Sequence, residues 1–128
     1  MKNLLRAALL SLSLLGMPGS VLAVCNIQPI AFGETRNATL ATDDCIDNNI
    51  NGHQYYYDYY EFSASSGQQI AIANSSPVID PDLLLINPDG TTRYDDDGGG
   101  GLNARIPASG FLTLTQTGNY HIIASAAV

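Results

Sequence analysis

The sequence predicts an all-β fold, an antiparallel β-sandwich of jelly-roll type, on three observations. Beyond residue 23 no long stretch carries apolar residues at helical spacing. Short runs rich in Ile, Val, Thr, Tyr and Phe recur instead, punctuated by Gly, Pro, Asn and Asp. Seven such runs at this spacing favour a sandwich.

In chain order the first element is a leader. Lys2 and Arg6 flank the start of an apolar run from Leu4 to Leu15, and Gly16, Met17, Pro18 and Gly19 break it before Val21-Leu22-Ala23. That is the pattern of a secretory signal peptide cleaved after Ala23. A dozen apolar residues reach about 18 Å as a helix, against a hydrocarbon core of about 30 Å, so no membrane span is expected. The alternative is a lipoprotein signal acylated at Cys25, since Leu22-Ala23-Val24-Cys25 resembles a lipobox. Val24 counts against it, being bulkier than the Gly or Ala that normally precedes the lipidated cysteine. The expected organisation is therefore a signal peptide over residues 1–23 and one sandwich domain over residues 24–128, secreted or periplasmic.

Export sets the redox reading. Cys25 and Cys45 are the only cysteines, and a disulfide between them is the default outside the cytoplasm. Closing a loop of about 20 residues contributes about 3 kcal/mol in the chain-entropy account. Two unpaired thiols are the alternative, and lipidation would leave Cys45 alone. With no C-x-x-C and no cysteine-histidine cluster, redox catalysis and structural zinc lack support.

The predicted strands cover residues 30–40, 55–62, 69–74, 83–86, 92–95, 111–115 and 120–125. Ile70 and Ile72 share one face of the third, and Leu112 and Leu114 alternate with threonines in the sixth, so both read as half-buried. Residues 83–86 are continuously apolar, which predicts a strand near the middle of a sheet covered on both sides. Asn87-Pro88-Asp89-Gly90 ends it as a turn. Residues 43–53 are polar and predict a surface excursion tethered by Cys45. Gly98 to Gly101 form the one low-complexity tract, and four glycines ordinarily mean a flexible loop.

Charge narrows the partners. The 128 residues carry 12 acids against five bases. Residues 24–128 hold all 12 acids and only Arg36, Arg93 and Arg105, a net charge of about nine negative units. Such a field repels phosphate backbones and anionic headgroups, so nucleic acid and membrane surfaces are poor partners. One core is all that roughly 100 residues can bury, which leaves no room for separate catalytic and substrate domains.

The order of motifs resembles the bacterial pre-peptidase C-terminal domain, a β-sandwich module of secreted proteins. The similarity runs from Phe32-Gly33-Glu34-Thr35 and Ala38-Thr39-Leu40 to Asp58-Tyr59-Tyr60-Glu61-Phe62 and Ser66-Gly67-Gln68-Gln69-Ile70-Ala71-Ile72. It continues through Ile79-Asp80-Pro81-Asp82-Leu83-Leu84-Leu85, Asn87-Pro88-Asp89-Gly90-Thr91, Asp95-Asp96-Asp97-Gly98-Gly99-Gly100 with Asn103 and Arg105, and Thr117-Gly118-Asn119-Tyr120. The resemblance implies an appendage of exported hydrolases, some of which bind calcium or, in collagenases, collagen. It also implies a further Gly-x-Tyr strand beyond the one at Tyr120. A chain lacking that last strand would expose an unpaired sheet edge.

Two groups of residues could carry function. Asp95, Asp96 and Asp97 stand before glycines that let the chain bend, so their side chains can converge. With carbonyl oxygens and Asn103 they suit a hard cation such as calcium. The resemblance adds Asp80 and, from the N-terminal segment, Glu34. The competing reading is a solvated turn with Arg105 as counter-charge. In the tyrosine run, alternation sets Tyr56, Asp58 and Tyr60 on one face and Tyr55, Tyr57, Tyr59 and Glu61 on the other. One face belongs to the core. Tyr55, Tyr57 and Tyr59 on the wet face suit stacking on sugar or polypeptide, although tyrosine also simply favours strands. Neither His53 nor His121 has a nucleophile nearby in sequence, and no Gly-x-Ser-x-Gly occurs, so no catalytic residues are expected. The expected function is a non-catalytic, calcium-stabilised binding module recognising an extracellular protein or polysaccharide. The alternative is an accessory that docks to or protects a separately encoded secreted peptidase.

Overall fold

A computed structural model describes residues 25–50 and 53–127. The leader lies outside them. Ten strands and no helix form among the described residues: β1 (Ile27–Pro29), β2 (Cys45–Ile50), β3 (His53–Ala64), β4 (Gln69–Ile70), β5 (Ile72–Asn74), β6 (Pro81–Ile86), β7 (Thr92–Asp95), β8 (Ala104–Ile106), β9 (Leu112–Thr113) and β10 (Gly118–Ala126).

The main sheet runs β1-β3-β10-β6-β7, with β2 also paired to β3. All its pairs are antiparallel except β1 with β3. Against one face of it lie two short ribbons, β4-β9 and β5-β8. Tyr60, Phe62, Leu83, Leu85, Tyr120 and Ile122 project from the sheet into a core closed by Ile70, Ala104, Ile106 and Leu114. Phe62 and Tyr120 stack at 5.3 Å between centroids, and the Tyr120 hydroxyl donates to the Gln116 carbonyl at 2.7 Å. A buried tyrosine thereby keeps its polar tip satisfied. The sandwich predicted from the sequence is the fold observed.

Several elements differ from expectation. Residues 30–40 form no strand. Gly33 turns the chain at φ +77, and the Glu34 carboxylate accepts the Ala31 amide at 2.8 Å, so the local side chain satisfies the backbone in place of a ladder. Residues 45–50 are a strand rather than a loose excursion, because the first half of β3 offers Tyr55, Tyr56 and Tyr57 as partners for Asp47, Ile46 and Cys45. The Cys25–Cys45 disulfide is formed, with Cα atoms 4.4 Å apart. Residues 83–86 are covered on one face only. Pro81, Leu83 and Leu85 are buried, whereas Asp82, Leu84 and Ile86 are half-buried on the face away from the ribbons. β10 is not an edge: it pairs with β3 on one side and β6 on the other. The sheet ends at β7 on one side and at β1 and β2 on the other.

Candidate functional site

The acidic turn follows β7 directly. One carboxylate oxygen of Asp95 accepts the backbone N–H groups of Gly98 and Arg105, both at 2.8 Å. This Asp side chain thus ties the turn to β8. Gly98 and Gly99 are packed, whereas Gly100 and Gly101 stand in open space at φ +93 and +63. A Cβ at Gly98 would collide with the Asp95 carboxylate, and one at Gly99 would stand 2.7 Å from the Asn103 carbonyl oxygen, the acceptor of the Gly99 N–H.

The turn gathers negative charge. Burial of its surroundings and the neighbouring Asp96, Asp80 and Asp95 raise the Asp97 carboxyl above the ordinary carboxylate range. Desolvation, with Asp82, Asp96 and Asp80, pushes the Tyr94 hydroxyl up to about 12. One oxygen of Asp80 is buried with no hydrogen-bond partner. Arg105 does not supply the counter-charge: its guanidinium donates to the carbonyls of Pro107 at 2.6 Å and Gly110 at 2.8 Å.

Of the predicted cation ligands, the structure brings Asp80, Asp95, Asp96 and Asp97 within electrostatic reach of one another. Asn103 stands beside them, but its side-chain oxygen accepts the Ser76 N–H at 3.2 Å. Glu34 is engaged elsewhere, with Arg36 and the Ala31 amide, beside a small apolar cavity of about 150 Å³ formed with Phe32, Phe62 and Ile70. Among the described residues no three acidic, histidine or cysteine side chains are arranged to hold a metal ion. The full six-residue calcium set therefore does not assemble as placed.

The second site is the outer face of the main sheet. In β3, Tyr60, Phe62 and Ala64 are buried, while Tyr55, Tyr57, Tyr59 and Glu61 are half-buried on the opposite face, as alternation requires. The register aligns one residue from each strand of the main path. Ile27 stands opposite Tyr59, Tyr59 opposite Ile123, Ile123 opposite Leu84 and Leu84 opposite Tyr94. An apolar row thus crosses five strands, with Ile27 47% and Tyr94 58% exposed at its ends. Tyr57 meets Tyr59 edge-on at 6.3 Å, and Tyr59 lies 5.3 Å from His121, whose Nε2 is 2.9 Å from Glu61 Oε2. Aromatic rings beside a polar pair can hold a ligand that has both apolar and hydrogen-bonding surface. Sequence reasoning reached the tyrosines. It missed Ile27, Leu84, Tyr94, His121 and Ile123, because no local pattern specifies which strands are neighbours.

No helix among the described residues is long and apolar enough to cross a membrane. Residues 56–126 match the bacterial pre-peptidase C-terminal domain family, a span that runs from β3 to the end of β10. No curated protein and no solved structure matches the chain.

Proposed function

The chain belongs to the bacterial pre-peptidase C-terminal domain family, and on that premise we propose that it is an exported, non-catalytic module that recognises an extracellular polymer through the outer face of its main sheet. The observation that carries this reading is the row Ile27, Tyr59, Ile123, Leu84 and Tyr94. Cross-strand pairs along this row stabilise the sheet, and its ends at Ile27 and Tyr94 leave apolar surface open to a ligand. The non-catalytic part of the reading is supported by the family, whose domain is a non-catalytic module.

Retention of the purified protein on insoluble collagen and on insoluble polysaccharide tests the reading. Tyr59→Ala should weaken retention about tenfold while leaving the melting temperature within a few degrees of the parent. Undiminished retention of that variant, or no retention of the parent on either polymer, would overturn it. Capture of an endogenous secreted peptidase in place of a polymer would instead favour the docking role.

Calcium belongs to the same proposal as a stabiliser. Two points support it: the unpartnered oxygen of Asp80 and the desolvation, with repulsion from Asp96, Asp80 and Asp95, that raises Asp97. With a reduced ligand set the affinity expected is that of extracellular modules, roughly 10⁻⁴–10⁻³ M.

A further inference from the structure

Hydrogen-bond alternation exposes an unfilled edge at β7. The Asn87 amide donates to the Thr91 carbonyl at 2.8 Å, so Asn87 and Thr91 form a hydrogen-bonded pair at the start of the β6–β7 ladder. In an antiparallel ladder such pairs alternate with pairs whose backbone groups point away. Given the pairing of Leu85 with Arg93 and Leu83 with Asp95, the groups of Arg93 and Asp95 face β6. Those of Thr92 and Tyr94 face outward. The Ala127 amide, which donates to the Asp80 carbonyl at 2.8 Å on the β10 side, gives the same phase for β6. β7 is the last strand of the sheet, Thr92, Arg93 and Tyr94 are exposed, and no hydrogen bond to the outward backbone groups of Thr92 or Tyr94 occurs among the described residues.

We infer that this edge receives an extended, basic polypeptide strand from a protein partner. The inference rests on the proposed recognition role and narrows its ligand to polypeptide, since a polysaccharide has no backbone amides to continue the ladder. Charge selects the composition of the strand. Asp82 and Asp96 stand on the Tyr94 face, and Asp80, Asp95 and Asp97 lie close by. None of the five makes an ion pair among the described residues. Arg93 is the only base on β6, β7 or the acidic turn. An added strand would extend the apolar row beyond Tyr94 with one side chain and set lysine or arginine beside Asp96 with another. A second copy fits less well, because about nine negative charges on residues 24–128 of each copy would oppose pairing. In the register that puts Thr92 opposite the partner copy's Tyr94, Arg93 would also meet itself.

The test is fluorescence anisotropy with a labelled synthetic peptide of alternating Val and Lys, titrated with the purified protein in chelator. Binding is expected, weakened about tenfold or more when Glu replaces Lys and again when the peptide amides facing the edge are N-methylated. Thr92→Pro, which removes an outward N–H at a position where proline is tolerated, should weaken it similarly without changing the melting temperature. If that variant misfolds, the N-methylated peptide still decides. Equal binding of the Glu peptide or of the N-methylated peptide overturns the inference. So does a protein that sediments as a dimer and becomes monomeric on Thr92→Pro. Absence of peptide binding alongside retention on polymer that depends on Tyr59 sinks the strand site alone and leaves the recognition reading standing.

Discussion

At the scale of single residues, Asp97 and Glu34 carry opposite signs. Asp97 is raised by its surroundings and by the neighbouring acids, so the folded state holds its proton more tightly than the unfolded chain does. Stability is therefore lost as pH rises through its folded range and stays lost at neutrality. Glu34 is lowered, chiefly by the Ala31 amide and then by Arg36, and its stabilisation disappears on acidification. Asp97→Asn should accordingly raise the melting temperature at pH 7 in chelator, with the gain vanishing below the ordinary carboxylate range of about 3.9. Millimolar calcium should reverse the order, raising the parent by several degrees and the variant by less, because only a folded state that binds the ion is stabilised by it. Thermal melts at both pH values, with and without calcium, check each arm. A parent indifferent to calcium removes the cation from the proposal.

Among elements, β3 does the most varied work. Its first half pairs with β2 and its second half with β1 and β10. The Cys25–Cys45 bridge joins β2 to the segment leading into β1, so it clasps two chain segments that both pair with β3. Reduction should cost about 3 kcal/mol for a loop of this length, read as a lower denaturation midpoint with the slope of the transition little changed. A midpoint unmoved by reductant would show that hydrogen bonding to β3 holds these segments unaided. β10 lies between β3 and β6. Its buried Tyr120 and Ile122, and partners on both sides, make it the centre of the sheet.

The whole molecule is a sandwich with one closed side and one open side. Leu85 is 0% exposed and faces the ribbons, while its neighbour Leu84 is half-buried on the outer face. Leu85→Ala should lower stability by about 2–5 kcal/mol, and Leu84→Ala by distinctly less, as measured by chemical denaturation. Equal losses would mean that the outer face is covered as fully as the core. The sequence by itself determined the fold class, the inward and outward sides of the tyrosine run, and the acidic turn before the glycines. These are local matters, since side chains alternate along a strand and turn residues act on their own backbone. Only the tertiary structure decided that β10 lies between β3 and β6, that Glu34 stands apart from the aspartates, and that Ile27, Tyr59, Ile123, Leu84 and Tyr94 form a row ending at a free edge. Each depends on which distant strands become neighbours, and that is set by the burial of Leu83, Leu85, Tyr120 and Ile122 in one shared core rather than by any pattern along the chain.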